Sequence, residues 1–222
     1  MITQLRPMLA VIAGPNGAGK TALTSQLLLH KWLSGCTYIN PDYIARDTFG
    51  DWNSPDAVMQ AAVLARKQRE KCLANKENLA FESVLSACDK IEFLKRAKDA
   101  GYFIRLFFIG TSHPSINAAR VAQRVMEGGH DVPIPKIISR YTKSIANCAA
   151  AASFSDRAYI YDNSVDGRAP SLIFRTRQGK IKKVYNKILP WAQVIADTMS
   201  RVHTHKSHLS FETEDIYHGF SM

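Results

Sequence analysis

Residues 14–21 read Gly14-Pro15-Asn16-Gly17-Ala18-Gly19-Lys20-Thr21, a full GxxxxGK[ST] string. This is chemistry for holding a polyphosphate. The glycines let backbone N–H groups turn inward around phosphate oxygens, Lys20 reaches the β- and γ-phosphates, and the Thr21 hydroxyl suits Mg²⁺. Such a loop works only when a buried strand delivers the chain into it and a helix leaves it. Both flanks fit. Met8-Leu-Ala-Val-Ile-Ala13 is a short apolar run, and the segment from Thr21 to Leu29 carries apolar residues at helical spacing. The helix dipole then adds attraction for the anion. A nucleoside triphosphate is the expected ligand.

Phosphoryl transfer to a hydroxyl further needs a base near the acceptor, a metal bridging the β- and γ-oxygens, and cations for the equatorial charge. In an open α/β sheet these groups collect just after the carboxyl ends of the strands. The residues at those ends are Asn40-Pro-Asp42, Phe81-Glu82-Ser83, Gly110-Thr-Ser-His113 and Asp162-Asn-Ser164. Asp42 is placed to act as base, with a helix N-cap as its structural alternative. Glu82 ends an apolar strand, where an unpaired carboxylate is costly. It should meet a cation, a metal or a hydroxyl, and it is expected either to orient the acceptor, together with Ser83, or to hold metal-bound water. No strand ends in the four apolar residues and Asp that mark a motor-type ATPase metal site, which favours small-molecule kinases over switch GTPases and helicase-like ATPases.

Arg120 and Arg124 share one face of a predicted helix, and Lys136 and Arg140 repeat the four-residue spacing, with Lys143 nearby. Gly128-Gly-His-Asp-Val-Pro133 joins the two helices. This is the layout of a lid that closes over a triphosphate and excludes water. Only Glu127 and Asp131 lie close in sequence to neutralise it, so Arg120, Arg124 and Arg140 are candidate phosphate ligands.

The elements that must position these groups alternate between strand and helix, the pattern of a parallel sheet covered on both faces. Strands are predicted at 37–40, 79–84, 102–109 and 157–161 besides the first, with 102–109 the central one. Helices are predicted over about 20–33, 54–74, 90–99, 114–127 and 135–152. Residues 171–174 and 181–185 form a hairpin turning at Gly179, and a helix over 190–199 follows. The expected fold is α/β, a P-loop kinase-type three-layer sandwich. It has a mostly parallel five-stranded sheet, a helical lid at about 114–152 and a C-terminal hairpin plus helix. Residues 1–200 read as one kinase domain and 201–222 as a solvated tail, whose His203, His205 and His208 have a spacing that metal sites also use.

At 222 residues, 46% of them hydrophobic, the chain can bury a full core. No run reaches the roughly 18 apolar residues of a membrane span, and the first strand begins too early to leave room for a signal peptide. Cys36, Cys72, Cys88 and Cys148 include no CxxC pair, so reduced thiols and a cytoplasmic setting are expected. The net charge of +10 has three functional sources open to it, a surface for nucleic acid, the cations of a polyphosphate site and a basic surface near the end for an anionic partner, beside a solubilising excess. Arg175, Arg177, Lys180, Lys182, Lys183 and Lys187 cluster near the end, without a nucleic-acid motif or aromatic interleaving.

The combination of Gly14–Thr21, Tyr38-Ile-Asn-Pro-Asp42, Phe81-Glu82-Ser83, Arg120-Val-Ala-Gln-Arg124-Val-Met-Glu-Gly-Gly-His-Asp-Val-Pro133, Arg140-Tyr141 and Tyr161-Asp-Asn-Ser164 resembles the zeta-toxin family of bacterial P-loop kinases, in its compact branch. The resemblance spans about residues 9–164. It implies ATP- and Mg²⁺-dependent phosphorylation of a 3′-hydroxyl on UDP-N-acetylglucosamine or a related UDP-amino sugar, by a toxin that a small antitoxin restrains. Residue by residue it implies Asp42 as catalytic base, Lys20 and Thr21 as phosphate and magnesium ligands, Glu82 as an acidic group of the sugar-nucleotide pocket, and Arg124 as a phosphate-binding arginine. The family's second arginine has no clean match, because the Gly-Gly-His-Asp-Val-Pro turn stands in its neighbourhood; Arg140 and His130 are the candidates. Beside this reading stand a kinase of another hydroxyl (nucleoside, metabolite or nucleic-acid end) and a nucleotide-gated binding module.

Overall fold

The computed structural model describes residues 6–30, 33–51 and 53–201. In chain order the elements are β1 (Met8–Ala13), α1 (Lys20–Leu28), β2 (Thr37–Ile39), α2 (Pro41–Phe49), α3 (Pro55–Asn75), β3 (Leu79–Ser83), α4 (Cys88–Asp99), β4 (Phe103–Gly110), α5 (Pro114–Met126), α6 (Ile134–Phe154), β5 (Arg157–Asp162), β6 (Ser171–Arg177) and β7 (Lys180–Val184). A seventh helix, α7, covers residues 190–201. The strands form one sheet in the order β2-β3-β1-β4-β5-β6-β7. The first five are parallel; β6 pairs antiparallel with β5, and β7 antiparallel with β6.

The fold is therefore α/β as expected, but its sheet has seven strands. The hairpin was read as an appendage because its exposed lysines and arginines mask its apolar residues. Ile173 and Phe174 are nonetheless buried and carry β6 into the core. The lysines of β7 face outward on the last strand, the position where charge discourages edge-to-edge pairing.

β1 and β4 are apolar without alternation because helices cover both faces of the sheet. Residues 9–13 and 104–109, apart from the partly buried Arg105, are fully buried. One large core lies under α3, α4, α6 and α7, and a smaller one under α1. α2 was not foreseen: Asn40-Pro-Asp42 reads as a turn, yet Asn40 caps a helix with Pro41 in its first turn. Cys72 and Cys148 are buried thiols, raised in pKa by burial, and all four cysteines are free. The histidine-bearing tail lies outside the described residues.

Asp156 ties together the edge opposite the strand carboxyl ends. Its carboxylate accepts from Arg6 at 3.1 Å, from the Ile104 N–H at 2.9 Å and pairs with Lys98 at 2.9 Å. Burial alone would raise its pKa. Lys98, the Ile104 amide and Arg6 outweigh burial and hold it below the ordinary carboxylate value. A carboxyl with a depressed folded pKa stabilises above the unfolded pKa and loses that contribution as pH falls through the folded one. Asp156→Asn is thus expected to cost about 3 kcal/mol in urea unfolding at pH 7. The gap from wild type should narrow below about pH 4. A gap independent of pH would show that the charge of Asp156 is not what stabilises.

Candidate active site

β1 ends at Ala13 and the chain turns sharply through the loop into α1. Two glycines are required here by space. A Cβ on Gly14 would sit 2.1 Å from the Ile109 carbonyl oxygen, and one on Gly17, at φ +76°, 2.4 Å from that of Asn117. The loop is therefore clamped against β4 and α5. Asn117, fully buried, accepts from the Thr111 hydroxyl and donates to the Asn16 carbonyl at 2.6 Å. Asn163, after β5, donates to the Ala18 carbonyl at 2.9 Å. Gly17→Ala is expected to abolish nucleotide-induced thermal stabilisation by distorting this loop. Unaltered stabilisation by ATP would contradict the clamp.

Lys20 folds back on its own loop and donates to the Gly14 and Pro15 carbonyls at 2.9 and 3.1 Å. Burial lowers its pKa, Glu82 and Asp42 oppose that shift, and Arg124 and Arg140 reinforce it. Groups from α1, α2, β3, α5 and α6 thus share one electrostatic neighbourhood. All of them line a single cleft of about 940 Å³, together with Asn16, Gly17, Gly19, Thr21, Ser83 and Arg120. The Thr21 hydroxyl is exposed and makes no hydrogen bond among the described residues, so it is available to a metal or phosphate oxygen.

Glu82 meets hydroxyls. Its Oε1 accepts from Thr24 at 2.6 Å and from Tyr38 at 2.7 Å. Burial and the Glu82 charge raise the Tyr38 pKa, keeping the phenol protonated as donor. Asn40 then donates from Nδ2 to the Tyr38 oxygen at 3.0 Å and accepts the Asp42 N–H on Oδ1 at 2.9 Å. One network therefore runs from Glu82 through Tyr38 and Asn40 to the backbone of Asp42. The cap of α2 is Asn40 and not Asp42. The Asp42 carboxylate is left exposed in the cleft, with no hydrogen bond or ion pair among the described residues. Asn40→Ala is expected to slow turnover by roughly 10- to 100-fold through misplacing Asp42, while nucleotide affinity stays the same. Equal losses in both would assign Asn40 to the nucleotide instead.

The helices α5 and α6 form a pair with its own apolar cluster of Val121, Val132 and Ile137. Its turn reaches across the cleft, where the Asp131 N–H donates to Asn53 at 3.1 Å. Arg124 donates to the His130 carbonyl at 2.8 Å, and Arg140 approaches Asn16 Oδ1 at 3.4 Å. His130 lines the cleft with a buried Nδ1 that has no hydrogen-bond partner among the described residues. Arg120 differs. It pairs with Asp166 at 2.5 Å and donates to the Asn163 carbonyl at 2.8 Å. The acid that neutralises it comes from beyond β5, so proximity in sequence to Glu127 and Asp131 was a poor guide.

The residues that sequence reasoning missed are Thr24, Tyr38, Asn40, Asn117 and Asn163. Tyr38 in β2 and Asn40 just past it flank buried Ile39, and Thr24 sits one turn after Lys20, so spacing gave a faint signal for these three. Asn117 and Asn163 are placed only by tertiary contact. None of the six cations of the hairpin region lines the cleft. Among the described residues no cluster of His, Cys, Asp and Glu could hold a metal ion, and no helix is long and apolar enough to cross a membrane.

The family pattern described as zeta toxin matches residues 1–186. The chain belongs to the zeta toxin family. Its fold also resembles solved structures at low identity. Against the AvrRxo1-ORF1:AvrRxo1-ORF2 complex with sulphate ions the TM-score is 0.62 at 18% identity, covering 88% of this chain and 64% of the other. A structure of that complex with ATP gives the same TM-score, identity and coverage. The PezAT chromosomal toxin–antitoxin system of Streptococcus pneumoniae gives 0.60 at 17% identity, covering 93% and 88%. An uncharacterized protein of Haemophilus influenzae is 37% identical over 70 residues, 31% of this chain and 50% of that protein. The chain thus spans half of that relative and just under two thirds of the AvrRxo1-ORF1 chain.

Proposed function

We propose that this zeta toxin family member is an ATP-dependent kinase that transfers the γ-phosphoryl group to a hydroxyl of a UDP-amino sugar such as UDP-N-acetylglucosamine. The observation that carries this reading is Asp42: an unengaged carboxylate, held in place through Asn40, in the same cleft as Lys20. A module that only binds nucleotide needs no such group. In the proposed reaction Asp42 takes the proton of the acceptor hydroxyl, and the oxygen forms a bond to the γ-phosphorus. The bond from that phosphorus to the β-bridging oxygen breaks, and ADP leaves. Glu82 orients the acceptor from its hydroxyl-anchored position, with Ser83 beside it.

Lys20 gives up its contacts with Gly14 and Pro15 to neutralise the β- and γ-phosphates, cradled by the amides of residues 14–21. Arg124 and Arg140 bind phosphate oxygens as the lid closes, and Arg120 joins them when it releases Asp166. Thr21 would hold Mg²⁺, whose charge would offset that developing on the phosphates. Residues 1–200 act as one kinase domain with α5 and α6 as its lid. Family membership and the toxin–antitoxin setting of PezAT support a small protein that restrains the enzyme.

The test is a screen of UDP-sugars with ATP and Mg²⁺, read by mass spectrometry for an added phosphate. Transfer to UDP-amino sugars above other hydroxyl acceptors is the expected outcome. No transfer to any UDP-sugar would remove the acceptor assignment. Transfer to a nucleic-acid end with a steep salt dependence would replace it.

A further inference from the structure

Across β4, β5, β6 and β7 the paired positions Arg105, Arg157, Arg177 and Lys180 are all cations. Two residues farther along β4 and β5, the next row reads Phe107, Tyr159, Arg175 and Lys183, cationic again toward the sheet edge. Both rows belong to the face that carries α1. Phe107 and Tyr159 join the core beneath that helix, whereas Leu106, Phe108, Ala158, Ile160 and Phe174 belong to the core on the other face. Arg175, Arg177, Lys180 and Lys183 are exposed, and Arg105 and Arg157 partly so. Like charges directly opposite one another destabilise a sheet. Burial lowers the pKa of Arg105, Tyr159 opposes the shift and Arg157 reinforces it. A four-strand row of cations is thus a cost to the fold that calls for a function.

No carboxylate balances the rows. Among the described residues Arg157, Arg175, Arg177, Lys180 and Lys183 make no ion pair. Arg157 donates to the Asp156 carbonyl at 3.1 Å, while the Asp156 carboxylate is taken by Lys98 and Arg6. The hairpin that presents the outer cations is pinned in place. Gly179 turns it at φ +71°, where a Cβ would meet the Ser153 carbonyl oxygen at 2.4 Å. The first row lies toward the amino ends of β4 and β5, whereas the cleft opens at the carboxyl ends of the strands, and none of the six cations lines it. They do not serve a triphosphate bound in the loop.

We infer that this face docks a nucleic-acid duplex by its phosphate backbone. Neighbouring strands lie about 4.8 Å apart, so the four cations of the first row extend over about 14 Å. One strand of a duplex places a charge about every 3.4 Å along its axis, so the row faces about four phosphates. The cores of protein–protein interfaces are poor in charge, whereas interfaces with DNA are strongly basic. A single strand is held by aromatic rings on which its bases stack. Here Phe107 and Tyr159 are buried and stacked on each other at 5.1 Å. The rings of Phe103 and Tyr185 already carry Arg105 and Lys183, at 5.3 and 4.8 Å. A duplex keeps its bases stacked internally and needs only cations along its backbone. The docking reads no bases, and it does not depend on what the cleft phosphorylates.

The experiment measures binding of a short labelled DNA duplex of mixed sequence to the full chain by fluorescence anisotropy, over a series of salt concentrations. A saturating non-hydrolysable ATP analogue with Mg²⁺ keeps the cleft filled. The logarithm of affinity is expected to fall against the logarithm of salt with a slope of about −4. The double variant Arg177→Gln, Lys180→Gln should reduce that slope by about two and weaken binding roughly 10- to 100-fold near 0.1 M salt. Its stabilisation by ATP should stay that of wild type, which also reports that it folds. Lys67→Gln with Lys71→Gln removes the same charge from exposed positions of α3 and should leave duplex binding nearly unchanged. An equal loss in that control would mean that net charge alone attracts the duplex, and overturns the proposal. So does displacement of the duplex by the ATP analogue, or failure of the duplex to bind. A single strand of the same length, or polyglutamate, that binds as tightly as the duplex would assign the face to that partner instead.

Discussion

Asp42→Asn is expected to lower phosphoryl transfer by about 10²- to 10⁴-fold, the range for losing a positioned general base, with ATP affinity nearly unchanged. The substitution is close to isosteric, and the carboxylate it removes makes no contact that the fold depends on. What positions residue 42 is its own backbone, through the N–H bonded to Asn40, and asparagine keeps that bond. Stability should therefore stay within about 0.5 kcal/mol of wild type, as for most surface substitutions. Pre-steady-state transfer and nucleotide affinity, measured on one preparation, check both halves. A variant with full transfer would remove Asp42 as base and leave Glu82, among the described residues, as the carboxylate at a strand end that lines the cleft.

Lys20→Met is expected to have an effect of comparable size by another route. The lysine is the cation nearest the loop amides, and removing one such contact to developing charge costs about 10²- to 10³-fold in turnover. Unlike Asp42→Asn, it should also weaken ATP binding, because Lys20 would meet the β- and γ-phosphates before and during transfer. Loss of the bonds from Lys20 to the Gly14 and Pro15 carbonyls should loosen the empty loop. ATP-induced thermal stabilisation is the direct readout. If Lys20→Met bound ATP as tightly as wild type, Lys20 would be a structural clamp on the loop and not a ligand.

The loop could be read from sequence because its chemistry is local. Eight consecutive residues, a strand before and a helix after suffice, and no distant partner is needed to specify it. β4 was legible as the central strand for a related reason: a segment covered on both faces must be apolar throughout. α2 was not, because Asn40-Pro-Asp42 serves equally well as a turn, and only packing against α3 extends it. The hairpin strands were recognised, but their place as the sixth and seventh strands of the sheet was not. The pairing of β6 with β5 depends on which edge remains open.

Sequence alone determined that this chain would present a phosphate-binding loop, a carboxylate after each of β2 and within the end of β3, and arginines at helical spacing. Composition and spacing fix such features because they arise within a few residues. Only tertiary structure decided which of them are engaged and which are free. Arg120 is tied to Asp166, Glu82 is met by the hydroxyls of Thr24 and Tyr38, and Arg69 is buried with no ion pair among the described residues. Pairing is a property of distances between elements remote in the chain. In this cleft those distances determine which charges remain available to a ligand.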